Sequence, residues 1–188
     1  MSVLDEGSVL SAVRRRRSHS SVTPDAPTTE ELLPLIEAAG TVADHGSMQP
    51  WRLIELRGEA REKLGAAMVL ASGLDGKDAV KLAGKPMRAS LLIAIVSVTK
   101  PSHKVPAWEQ EAVASGVAHM LSLLLNEAGW GVFWRTGGLT RSAAVAEMHG
   151  LAPNEQLLGW LYVGGRPEKE KSEKKSRFHA SKVLSTIE

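Results

Sequence analysis

The chain has 188 residues, of which 43% are hydrophobic and 23% charged, enough apolar material for one packed domain. Its 23 Lys and Arg against 21 Asp and Glu leave a formal net charge of +2, so a nucleic-acid partner would need the positive charge gathered on one face. The absence of cysteine excludes disulfides, thiolate nucleophiles and Cys-based zinc or iron–sulfur sites, and fits a reducing cytoplasm.

The opening "MSVLDEGSVL" is acidic ahead of any apolar stretch, unlike a secretion signal. The longest apolar run, Leu91 to Val96, falls far short of the roughly 20 residues that a membrane helix needs. These features lead us to expect a cytoplasmic protein with no membrane and no nucleic-acid partner.

Val9, Leu10 and Val13 make an apolar helical stripe with Arg14 to Arg17 at its C-terminal end, where cations favour the helix dipole. A turn-rich stretch follows, and Thr28 and Glu31 then have capping-box spacing ahead of Leu32, Leu33, Ile36 and Ala39, with Gly40 as a stop. Pro34 inside this pattern predicts a later helix start or a kink. "WRLIEL" reads as a strand, "EAREKLGAAMVL" as a helix, and "SLLIAIVSVT" as a buried strand. The longest helix runs from Ala107 to Ala128 and stops at Gly129, and small residues between Ala112 and Ala118 permit close packing in a core or at a subunit contact. "WGVFW" is a further strand, "TRSAAVAEMHG" a short helix, and "LLGWLYVGG" a last strand. Residues 1–7 and about 167–188 are expected to form flexible or extended tails on a single domain. This order gives an α/β or α+β arrangement of helices on a sheet.

No GxGxxG, GxxxxGK[ST], GxSxG or HExxH pattern is present, and no two histidines stand at i, i+4 on an expected helix. We therefore expect no metal site. Three stretches could hold a ligand. "RRRRSHS" (Arg14 to Ser20) is a solvated helix end, a nucleic-acid contact, or an anion site in which guanidinium forks and a hydroxyl grip a phosphate. "DHGSMQPW" (Asp44 to Trp51) is either a helix-to-strand turn with a core Trp51 or a loop whose imidazole, amide and thioether suit the edge of a flat heteroaromatic ring. "WGVFWRTGG" (Trp130 to Gly138) sets a large apolar face beside a planar cation and a hydroxyl.

Taken with "HKVPAWEQE", these stretches resemble the FMN-dependent nitroreductase family, in its small single-module bacterial branch of NAD(P)H nitroreductases, over about Arg16 to Gly164. The resemblance implies an α+β fold with a central, mostly antiparallel sheet flanked by helices, in an intertwined homodimer with FMN at the subunit interface. It implies that Arg16, Arg17 and Ser18 meet the flavin's phosphate and ribityl end, that Thr41 and His45 meet it from the central loop, and that Trp134, Arg135 and Thr136 meet it from the other side. Leu124, Leu125, Asn126, Glu127, Ala128 and Gly129 match the stretch assigned to nicotinamide contact, although by their own pattern they are a helix end. No side chain is expected to be catalytic, because flavin N5 carries the chemistry. Hydride would pass from NADH or NADPH through the flavin to a nitroaromatic, quinone or similar small acceptor in ping-pong fashion. Two positions often basic in relatives are Thr41 and Ser21 here, so Arg14, Arg15 or Arg166 would have to supply the missing cation. The rivals to this reading are a flavin-binding sensor or carrier without turnover and a basic nucleic-acid-binding module.

Overall fold

The computed structural model describes residues 9–168 and 179–187. Of the expected tails, residues 1–7, 169–178 and 188 lie outside that range. The fold is built on one strand, β2 (Leu91–Val98), which is buried from Leu91 through Ser97. Its alternate side chains feed two cores. Leu91, Ile93 and Ile95 enter one, while Leu92, Ala94 and Val96 enter the other. A strand covered on both faces has no polar side, and its sequence is accordingly an unbroken apolar run.

β1 (Trp51–Leu56), β3 (Trp130–Arg135) and β4 (Glu155–Gly165) complete a four-stranded sheet in the order β1-β2-β4-β3, with every neighbouring pair antiparallel. The architecture is thus α+β rather than α/β. On one face lie α2 (Thr29–Ala39) and α5 (Ala107–Glu127). On the other lie α3 (Glu59–Ser72), α4 (Gly76–Ala83) and α6 (Ala143–Met148). The short α1 (Val9–Arg15) buries none of its residues.

β4 carries a bulge opposite Ile95 and Val96. The extra residue lets Leu157 and Trp160, three apart, enter the same core, while Leu158 and Leu161 enter the other. Gly159 adopts φ +146° there, and a Cβ on it would meet the Arg135 carbonyl oxygen at 2.4 Å and Trp134 Nε1 at 2.8 Å. Glycine is required at this position by both backbone and space.

α5 buries Gln110, Val113, Ala114, Val117, Ala118 and Leu121, a stripe spaced at three and four residues that continues to Asn126. The opposite side of the helix is left outward. One sequence expectation fails locally, and one element was not read from the sequence. α2 starts at Thr29, with a complete capping box on Thr28, and runs through Pro34 instead of starting later. Pro34 is exposed, so the carbonyl that loses its helical partner can be hydrated. α4 was not anticipated: "GKDAVKLA" has only eight residues and a single buried side chain, Leu82.

Candidate functional site

The outward side of α5 links the motifs that the sequence singled out. Near its start, Glu109 accepts a hydrogen bond on its carboxylate from His45 Nδ1 at 2.9 Å. In its middle, Gly116 lies against Val42, whose side chain a Cβ there would touch at 3.7 Å. One turn on, the His119 ring meets Trp134 edge-on, with centroids 5.0 Å apart and planes at 84°. At its end, Glu127 accepts from Arg15 Nη2 at 2.8 Å. Three sequence segments thus converge on one helix.

The loop from Asp44 to Pro50 is held in an unusual backbone path. Gly46, Ser47 and Gln49 all have positive φ, at +75°, +49° and +46°. Left-handed non-glycine residues are costly and persist only where surroundings hold them. The Asp44 carboxylate accepts from the Gln49 amide at 2.6 Å, and Lys100 Nζ donates to the Met48 carbonyl at 2.5 Å. Gln110, buried at α5's start, pins Lys100 by accepting from its amide and donating to its carbonyl. His45, at the start of this loop, stands more than half exposed. Trp51 does pack against the core, as the plainer reading of this turn expected. Thr41 is exposed and spends its hydroxyl on the Ala38 carbonyl at 2.8 Å.

The arginine run behaves as several different residues. Arg17 Nη1 donates to the carbonyls of Arg14, Arg15 and Arg16 at 2.7, 2.8 and 3.0 Å, capping α1 and neutralising the negative end of its dipole. Arg16 Nη1 reaches Ser18 Oγ at 3.4 Å. Arg15 and Arg17, with His19, Asn126, Glu127 and Arg166, line a cavity of about 420 Å³. Arg166 also hydrogen-bonds the Asn126 carbonyl. Of the stretch from Leu124 to Gly129, Leu125 and Asn126 are buried, Leu124 is half-buried, and Glu127, Ala128 and Gly129 are exposed. Leu125 belongs to the core.

A second cavity, of about 440 Å³, opens where β3 ends. Trp134, Arg135 and Thr136 line it together with Lys85, Trp160 and Tyr162. Alternation along β3 separates the first two: Trp134 packs into the α5 core, while the Arg135 guanidinium lies over Phe133 at 4.4 Å and Tyr162 at 5.0 Å on the other face. Burial pushes the Tyr162 hydroxyl above its ordinary pKa, against the pull of the Arg135 and Arg88 charges. Among the described residues, the buried Trp134 Nε1 and Arg135 Nε have no hydrogen-bond partner.

Trp134, Arg135 and Thr136 therefore share one cavity, Arg17 and Asn126 share another, and His45 stands apart at the far end of α5. Sequence reasoning missed Lys85, Trp160 and Tyr162 in the first cavity and Glu109 and His119 on α5. The first three lie in strands or turns whose pattern signals only core. Glu109 and His119 sit on the polar or small side of a helix, where a functional residue looks like any solvated one. Among the described residues no cluster of His, Cys, Asp or Glu has the make-up of a metal site, and no helix is long and apolar enough to cross a membrane.

The chain is 38% identical over 152 residues to the Escherichia coli protein named "Putative NAD(P)H nitroreductase YdjA", covering 79% of this chain and 83% of that one. Its fold is similar to that of a nitroreductase-like family protein from Bacillus cereus, with a TM-score of 0.84 at 23% identity over the whole of both chains. It is also similar to an FMN and NADPH-dependent nitroreductase, NfnB, from Sphigopyxis sp. strain HMH, with a TM-score of 0.71 at 18% identity over 96% and 99% of the two chains. The model of the nitroreductase family matches residues 13–165. That match over most of the chain, with the 38% identity above, shows that the chain belongs to the nitroreductase family.

Proposed function

We propose that this protein is an FMN-dependent NAD(P)H oxidoreductase, acting as a cytoplasmic homodimer on a nitroaromatic, quinone or similar small acceptor. When bound, FMN supplies the hydride relay between the donor and the acceptor. The chain's residues suit such a group. Phe133, Trp160 and Tyr162 bring aromatic surface, Lys85 and Arg135 bring positive charge, and the unsatisfied buried Arg135 Nε–H among them calls for an acceptor-rich ligand. The cavity of Arg15, Arg17 and Arg166 offers cations for a phosphate. It includes Arg15 and Arg166, two of the arginines needed to compensate for Thr41 and Ser21.

The observation that carries the reading is the row of contacts along α5. Glu109, held by His45, and Glu127, held by Arg15, stand eighteen residues apart, about 27 Å along the axis at roughly 1.5 Å per residue. That span is longer than an extended flavin nucleotide. His45 and the arginine run of one chain thus do not suit a single cofactor, whereas two copies packed across this face would bring one end of each together. α1 supports the pairing: it buries nothing of its own and leaves Val9 77% and Val13 49% exposed. In this arrangement Lys85 and Arg135 would balance negative charge on the ring of a bound flavin, and donor and acceptor would occupy its one open side in turn. Shared occupancy of that side predicts ping-pong kinetics.

The test is the absorption spectrum of the purified protein. A yellow protein that releases FMN on denaturation and is bleached anaerobically by NADH or NADPH supports the reading, and steady turnover with a quinone separates an enzyme from a carrier. Protein that stays colourless after incubation with FMN overturns it.

A further inference from the structure

His149, at the C-terminal end of α6, is buried, and the function proposed above makes no use of it. Both ring nitrogens are engaged. Nδ1 faces the Val145 carbonyl at 2.7 Å, and Nε2 faces the Trp160 indole Nε1 at 3.0 Å. A carbonyl can only accept and an indole N–H can only donate. Nδ1 must therefore carry the proton, and Nε2 must be bare. One neutral tautomer satisfies both partners, whereas the imidazolium has no lone pair left for Trp160.

Trp160 is 2% exposed and forms part of the wall of the cavity shared by Arg135, Thr136 and Lys85. It pairs across the sheet with Arg135, whose guanidinium sits in that cavity. Resting on the reading of that cavity as the cofactor pocket, we propose that His149 is a positioning residue: its Nδ1–H tautomer fixes the Trp160 indole, which in turn sets the shape of the pocket around Arg135. The surroundings favour the neutral ring. Burial disfavours the charged form most, and Arg52 on β1, held by Glu155 on β4, adds a like charge, with the Val145 carbonyl opposing both. An indole buried without this acceptor would lose a hydrogen bond with no water to replace it.

The experiment compares His149→Leu, which keeps bulk and removes both bonds, with His149→Gln, whose amide can both donate and accept. Trp160→Phe is made alone and with each. FMN binding to each apoprotein is read by flavin fluorescence quenching. His149→Leu is expected to weaken FMN binding by roughly tenfold, the scale of one lost buried hydrogen bond. His149→Gln recovers most of that loss, and in the Trp160→Phe background His149→Leu has no further effect. An additive double variant, or unchanged binding in a folded His149→Leu protein, overturns the proposal. The Trp160 indole N–H resonance reads the same contact without flavin. It is expected to shift in His149→Leu and return in His149→Gln, and a resonance that stays put overturns the proposal. If His149→Leu does not fold, the imidazole ¹⁵N spectrum of the wild type decides, with an Nε2–H tautomer overturning it. Wild-type protein that binds no FMN sinks the functional reading instead, while the resonance and tautomer tests still judge His149.

Discussion

Trp134 and Arg135 are neighbours in sequence and lie on opposite faces of the sheet. The indole meets His119 of α5, while the guanidinium covers Phe133 and Tyr162 on the side of α3 and α6. The two residues therefore do different work. Trp134→Ala removes an aromatic surface beside the α5 face and is expected to raise KM for acceptors more than it lowers FMN affinity. Arg135→Ala removes a cation from a largely apolar cavity and is expected to weaken FMN binding by about 1–3 kcal/mol, the range of a charge-assisted hydrogen bond. Steady-state kinetics beside FMN titrations separate the two effects, and identical profiles for both variants would contradict the division.

Gly159 makes that arrangement possible. Its positive φ and its contact with the Arg135 carbonyl leave no room for a methyl group. Gly159→Ala is expected to cost about 2–4 kcal/mol in chemical denaturation, from backbone strain and overpacking together, and to lower FMN affinity as β3 shifts. A variant of unchanged stability would mean that the bulge in β4 relaxes freely.

The arginine run can be divided by the same method. Arg17 is bound to three carbonyls at the end of α1, so Arg17→Ala should lower stability by about 1 kcal/mol as well as weaken FMN retention. Arg16 reaches Ser18 Oγ only at 3.4 Å, and Arg16→Ala should lower FMN retention with little change in unfolding midpoint. Equal losses of stability in both would remove the distinction.

Much of this was legible in sequence wherever a residue's type and spacing answered to a local cause. The unbroken run in β2, the stripe on α5 and the capping box at Thr28 each record which side of an element meets the core. The three candidate ligand stretches also stood out, because their residue types are poor choices for plain packing. What stayed hidden depended on long-range geometry. Nothing local in "GKPMR" tells that Lys85 opens onto the same cavity as Thr136, about fifty residues on, and nothing in "AEMHG" tells that His149 accepts from Trp160. Pro34 misled for the opposite reason: the local rule is sound, but exposure of that helix face removes most of its cost.

Stability should depend on pH through the same buried histidine. The folded state holds the pKa of His149 below its ordinary 6.5, chiefly by burial, so the unfolded chain binds the proton more readily. The contribution is then fully present above the unfolded value and is lost as pH falls below about 6.5, with a slope of up to about 1.4 kcal/mol per pH unit for one proton. Glu155, held below its ordinary value by the hydrogen bonds from Arg52, adds a loss of the same sign further down, below 4.5. Denaturation midpoints between about pH 5 and 7 should fall on the acid side in the wild type and flatten in His149→Gln. An unchanged slope in the variant would assign the effect to another group.

The distance between the two ends of α5 makes the pairing of chains testable without a complex structure. If each cofactor draws His45 from one copy and Arg16 from the other, then His45→Ala and Arg16→Ala homodimers are both defective at every site. Hybrids behave differently. In one made of one chain of each kind, one site collects both defects and the other collects neither. Random reassociation of the two variants should therefore restore tight FMN binding at about one site in four. If both residues served the same cofactor from a single chain, every site in the hybrid would keep one defect and mixing would restore nothing. Co-refolding the two variants with different tags, isolating the doubly tagged species and titrating FMN distinguishes the outcomes. A hybrid with no intact site would overturn the shared-site geometry while leaving the fold and the two cavities as they stand.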